Sequence, residues 1–259
     1  IYNVTNFVNE ESSSNLSFTS ILGSLKTYVA LSPQDYYEPK FDSGTRIINQ
    51  NIKGTIFQNN SGTFQDIDYL IVSPNNMLNE AERLAEINRH QYNLNVKVVG
   101  LDEIYNEFST GNQDVGAIRN LVKYIYENAS APENRLNYLC LFGDGSFDYK
   151  DRIPNNTNIV PSWHSYNSFN LTSSFVSDDF YGMMDDNEGT MSSSDKLDIA
   201  VGRILADTPQ RAKEMVDKIA SYYVKEAFGS WRNNFVVVSD DVDKDWEGLL
   251  QETTDNIGN

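Results

Sequence analysis

Three acidic clusters are where this sequence could do chemistry. In Leu141–Asp148 (LFGDGSFD), Asp144 and Asp148 follow an apolar run, and Gly143 and Gly145 let the chain turn tightly between them. Two carboxylates at a strand end can hold a cation or position a substrate, and the same residues can cap their own backbone in a turn. The second cluster is Ser177–Gly182 with Asp185–Gly189, which gathers Asp178, Asp179, Asp185 and Asp186. Carboxylates crowded together repel one another unless a cation or hydrogen-bond donors compensate. Hard oxygen ligands on a flexible loop suit calcium. Calcium is therefore expected here, with Asp144, Asp148, Asp178, Asp179, Asp185 and Asp186 as candidate ligands; a solvated acidic turn is the other reading. In the third cluster, Asp241, Asp243, Asp245 and Glu252 have the spacing of an EF-hand loop. Trp246 stands where that loop needs glycine, however, and an apolar run precedes it in place of a helix.

Nucleophiles are scarce. Cys140 is the single cysteine, and His90 and His164 are the only histidines. No disulfide can form within the chain, and a structural zinc site of the Cys/His type is excluded. Cys140 lies inside Tyr138–Phe142 (YLCLF) with no cation beside it in sequence, the setting of a buried, inert thiol. His90 falls near a helix C-terminus, where its charge suits the dipole. No Gly-x-Ser-x-Gly elbow and no Walker loop is present, and no Gly-rich loop follows Ser73.

The elements that must position these residues alternate after about residue 66. Tyr69–Ser73, Asn95–Val99, Tyr138–Phe142, Asp198–Ile204 and Phe235–Ser239 read as strands. Between them, helices are expected over about Met77–His90, Leu101–Phe108, from Asp114 onward, and from Pro209 to about Tyr223 under an Asp207 or Thr208 cap. Continuous apolar strands alternating with helices argue for a parallel sheet covered on both faces. Before residue 66, Lys26–Ser32 and Asn51–Phe57 read as short β-type runs, with a polar linker around Gly62. The long stretch Gly143–Lys196 interrupts the rhythm at a strand's C-terminal end, where open α/β sheets place ligands, and its aromatics argue that it is ordered.

The 259 residues carry 20 Lys+Arg against 37 Asp+Glu, a net charge of −17. That balance excludes a general nucleic-acid binder, which needs a basic face. No apolar stretch is long enough to span a bilayer. Both ends read as cuts, so a piece of a longer protein is expected, with Gly258 and Asn259 closing an unfinished helix.

Leu141–Asp151 (LFGDGSFDYKD), Val160–Trp163 (VPSW), Ser177–Gly189 (SDDFYGMMDDNEG) and Leu197–Tyr223 (LDIAVGRILADTPQRAKEMVDKIASYY) occur in that order. In this order they resemble the gingipain-like cysteine peptidases, within them the sortases of the type IX secretion system of Bacteroidetes. The resemblance implies a caspase/gingipain-like α/β fold with a parallel sheet and helices on both faces. It implies the end of an upstream β-rich domain and linker over 1–66, the first peptidase subdomain over 67–230, and the truncated start of the catalytic one over 231–259. The catalytic His and Cys would lie further on, so this fragment is expected to be inactive. Asp241, with Asp240 one step away, matches the acid that orients that His. The implied activity is cleavage of C-terminal sorting signals from secreted cargo, the acyl-enzyme passing to water or to a lipopolysaccharide amine. The implied setting is the outer-membrane cell surface, among other type IX secretion proteins. Calcium is common in such domains. A noncatalytic, calcium-stabilised structural or binding module of a surface assembly is the alternative.

Overall fold

The computed structural model of the chain describes residues 2–3, 11–12, 19, 23, 25–37, 50–167, 169–170 and 172–258. The chain divides into two compact units, Ile1–Asn49 and Gln50–Asn259. In the first, β1 (Tyr2–Asn3) pairs antiparallel with β2 (Glu11–Ser12) and β3 (Tyr28–Val29).

The second unit is built on β4 (Tyr69–Ser73), β5 (Val96–Gly100), β6 (Tyr138–Phe142) and β9 (Ala200–Ile204), all parallel in the order β5-β4-β6-β9. The two central strands, β4 and β6, are apolar on both faces, as a doubly covered parallel sheet requires. Leu70, Val72, Leu139 and Leu141 point to one core, while Ile71, Cys140 and Phe142 point to the other. On the first face lie α1 (Ile52–Thr55), α3 (Leu101–Phe108) and α4 (Val115–Glu127). Asp114 caps α4, its Oδ1 accepting from the Gly116 amide at 2.7 Å, and Ala117, Ile118, Leu121, Val122 and Ile125 form its buried stripe. On the second face, α2 (Leu78–Tyr92) packs beside α5 (Pro209–Ser221). The helix α5 begins with Pro209 in its first turn, under a Thr208 cap.

Two sequence expectations fail. Ile52–Thr55 is helical rather than extended, and Ile52, Ile56 and Phe57 are buried against the sheet's first core. The chain around Gly62 is a closed turn, with Gln58 bridged to Phe64 and the rings of Phe57 and Phe64 stacked 5.1 Å apart. Residues 50–66 thus pack with the sheet, because their few apolar groups find more surface to bury there.

Phe235–Ser239 is the second failure: it joins no ladder, and Phe235, Val236 and Val238 are 78%, 78% and 86% exposed. Handedness closes one edge of the sheet to it. The connection β4–α2–β5 runs one way across the sheet over the second face, and β5–α3–α4–β6 runs the other way over the first face. Crossovers between parallel strands are right-handed. Since α5 lies on the α2 face, a strand reached through it cannot sit outside β9. The exposed helix α6 (Gly248–Gly258) follows.

Candidate functional site

The insertion between β6 and β9 starts at the C-terminal end of β6, crosses the first face and returns to the start of β9. It contains the hairpin β7 (Trp163–His164) and β8 (Val176–Ser177), then a 3-10 turn over Asp179–Gly182. Val160, Tyr181, Met184 and Ile199 plug it into the core beneath. The buried Tyr181 hydroxyl donates to the Pro161 carbonyl.

Arg203 holds this assembly together. Strand alternation puts it on the same face as Val201, at a position that would ordinarily be apolar. Its Nε and Nη2 donate to the two Asp178 carboxylate oxygens at 2.7 and 2.6 Å, a bidentate pair. Nη2 also reaches Ser162 Oγ at 3.0 Å, and Nη1 donates to the carbonyls of Gly143 (2.8 Å) and Val160 (2.7 Å). Ser162 Oγ in turn donates to Asp178 Oδ1 at 2.9 Å. One guanidinium therefore ties the loop after β6, the strand entering the hairpin and the turn leaving it to a single point on β9. The glycines flanking Asp144 make this approach possible. Gly143 has φ +146°, and a Cβ on Gly145 would lie 2.7 Å from Ser162 Oγ.

The expected calcium ligands are spread among separate tasks. Asp178 is neutralised by Arg203. Asp148, buried, accepts through Oδ2 from the amides of Arg152 (2.5 Å) and Ile153 (2.6 Å). Asp144 is half-buried, its amide donating to the Ala206 carbonyl at 3.0 Å; burial first, and Asp207 nearby second, raise its pKa above the usual carboxylate value. Asp179 and Asp185 are exposed, and Asp186 meets Lys123 Nζ at 3.2 Å in solvent. Among the described residues no three His, Cys, Asp or Glu side chains converge as a metal ion would need. The buried acids Asp148 and Asp178 are already met by donors, the first by two amides and the second by Arg203.

Cys140 is buried in the second core, and burial pushes its thiol up to about 12. His164 Nε2 lies 3.2 Å from the Ser146 carbonyl, and its ring meets Tyr149 edge-on at 5.5 Å. His90 is exposed on the last turn of α2, 3.5 Å from Glu86. Asp241 is exposed, its amide donating to Asp240 Oδ1 at 3.1 Å. Asp243 and Lys244 donate their amides to the Glu247 carboxylate, which closes the turn leading into α6.

Sequence reasoning passed over Arg203, Ser162 and Arg119. The last donates to the Met183 carbonyl at 3.1 and 2.6 Å and to the Glu188 carbonyl at 3.2 Å, pinning the acidic turn to α4. An arginine at an inward position of an otherwise apolar strand was the available signal for Arg203.

Comparison with known proteins adds three findings. The model of peptidase family C25 matches residues 62–259. The crystal structure of dimeric latent PorU from Porphyromonas gingivalis is 32% identical, with a TM-score of 0.56, over 72% of this chain and 18% of its own. A second solved structure, a protease, is 15% identical over 60% of this chain and 28% of its own, with a TM-score of 0.43. No curated protein matches the chain. The chain thus spans less than a fifth of the PorU length.

Proposed function

The chain belongs to peptidase family C25, and from that premise we propose that it is the scaffold half of a cysteine endopeptidase that removes C-terminal sorting signals from type IX secretion cargo. The similarity to PorU at 32% identity is the observation that carries this reading. The chain's own contribution is architectural. Its sheet, its Arg203-clamped insertion and the apolar run 235–239 form the surface on which a catalytic subdomain would be built. The exposed Phe235–Val238 would be the first strand of that second sheet, and Asp241 at its end would orient the catalytic imidazole and stabilise its cation. The nucleophile would be a thiolate outside residues 1–259, attacking a peptide carbonyl to form a thioester. Water, or an amine of a surface lipopolysaccharide, would resolve that thioester at the outer-membrane cell surface.

The buried Cys140 supports the corollary that residues 1–259 alone are inactive. It equally supports the rival, a noncatalytic module of a surface assembly. One experiment separates them. The natural protein containing this chain is incubated with a secreted protein bearing a C-terminal sorting signal, and the products are weighed by mass spectrometry. Cleavage at the signal, leaving a free carboxylate or an amine adduct, is expected. Intact cargo after many hours would favour the noncatalytic module.

A further inference from the structure

Between α5 and the run 235–239 the chain crosses residues 222–234 in two short 3-10 turns, Lys225–Ala227 and Ser230–Asn233. A connection of that kind is where a hinge would ordinarily lie. This one is wound around a single side chain. The Arg232 guanidinium lies over the rings of Tyr222, Phe228 and Trp231, 3.9, 4.0 and 5.3 Å from their centroids. Its Nε donates to the Ala227 carbonyl at 3.1 Å, and its Nη2 donates to the Tyr222 carbonyl. Each turn has its own main-chain bonds, from the Phe228 amide to the Lys225 carbonyl and from the Arg232 amide to the Gly229 carbonyl, both 3.2 Å. Arg232 joins the two turns to each other and to the end of α5.

Burial alone does not hold these rings. Tyr222, Phe228 and Trp231 are 46%, 63% and 52% exposed. Nor is the cation held by a carboxylate: among the described residues no ion pair includes Arg232, in a chain of net charge −17. Its partners are aromatic rings and carbonyls, which suit a planar guanidinium. The knot is also tied to the sheet unit. The Tyr222 ring meets Tyr223 edge-on at 5.9 Å, Tyr223 meets Tyr92 at 6.0 Å, and the two hydroxyls of that last pair lie 2.7 Å apart. Tyr92 ends α2, which packs on the sheet's second face.

We propose that Arg232 makes residues 222–234 a rigid joint, which fixes where the chain leaves the sheet toward Phe235. The inference does not rest on the peptidase reading.

The test places spin labels on Asn120→Cys in α4 and Asn234→Cys at the exit, both exposed positions, in the 259-residue chain. Buried Cys140 stays unlabelled. Pulsed electron paramagnetic resonance then reads the distribution of distances between the labels. One narrow distribution is expected, unchanged in about 0.5 M salt, because no ion pair holds the joint. Arg232→Gln removes the cation and should roughly double the width, while hydrogen exchange at Leu70 to Val72 stays as it was and shows the sheet intact. A broad distribution in the parent chain, broadening by salt, or an Arg232→Gln chain as narrow as the parent would overturn the inference. So would loss of the sheet's protection in the variant, since Arg232 would then hold the whole unit and not the joint.

Discussion

Replacing Arg203 with Met keeps most of the side-chain volume and removes every donor of the guanidinium. Five hydrogen bonds disappear: two to Asp178, one to Ser162 and one each to the carbonyls of Gly143 and Val160. The Arg203 side chain is 10% exposed and that of Asp178 is 26%. Removing one partner of a fully buried pair costs about 3–5 kcal/mol, because the other charge is stranded. Asp178 keeps partial access to water, so the lower end applies, about 3 kcal/mol. At 1.4 kcal/mol per decade that is roughly a hundredfold rise in opening of the insertion. The cost should fall on the insertion and spare the sheet, because β4, β5 and β6 keep their ladders and both cores. Hydrogen exchange reads this directly. The amides of Ile159, Val160 and Asp198 bond within or across the insertion and should exchange about a hundredfold faster. Those of Leu70 to Val72 should not change. Adding Asp178→Asn to the Met variant should recover part of the loss, since the stranded charge is gone. Unchanged protection at Ile159 and Val160, or an equal loss in the sheet, would refute the clamp.

Three further outcomes follow from the site. Cys140, with its thiol pushed up to about 12 by burial, should resist alkylation by iodoacetamide at pH 7.5 in the native chain and react at once in urea; labelling of the folded protein would contradict its burial. Asp144 has a raised folded pKa, so its ionisation costs more in the folded state than in the unfolded one. That penalty is absent below the ordinary carboxylate pKa and complete above the raised one. Asp144→Asn should therefore stabilise the chain slightly at pH 7 and not at pH 3, as read from urea midpoints at the two values. Arg203 already compensates Asp178, so adding EGTA to the purified chain should leave its melting temperature within about a degree, whereas a drop of several degrees would place calcium in the insertion.

The sheet was legible because its central strands β4 and β6 are short apolar runs and its helices carry recognisable caps at Asp114 and Thr208. Residues 51–57 misled because β-branched residues such as Ile52, Thr55 and Ile56 suggest extension, while packing against α3 and the sheet decided for a helix. Phe235–Ser239 has the composition of a strand, but pairing needs a neighbour, and composition does not supply one. The acidic clusters were visible as charge, yet what compensates them was not. Asp178 finds its cation in Arg203, 25 residues on, and Asp148 finds amides in its own turn. Long-range pairing of that kind is set by the path of the insertion, which no local pattern encodes.

The central claim is that residues 1–259 scaffold a thiol nucleophile they do not contain. The direct measurement is to treat the natural protein with a peptidyl thiol-reactive inhibitor and locate the modified residue by peptide mass spectrometry. The account predicts a single modified cysteine in a peptide outside residues 1–259, with loss of cargo cleavage in step with labelling. Modification of Cys140 with the same loss of cleavage would contradict it.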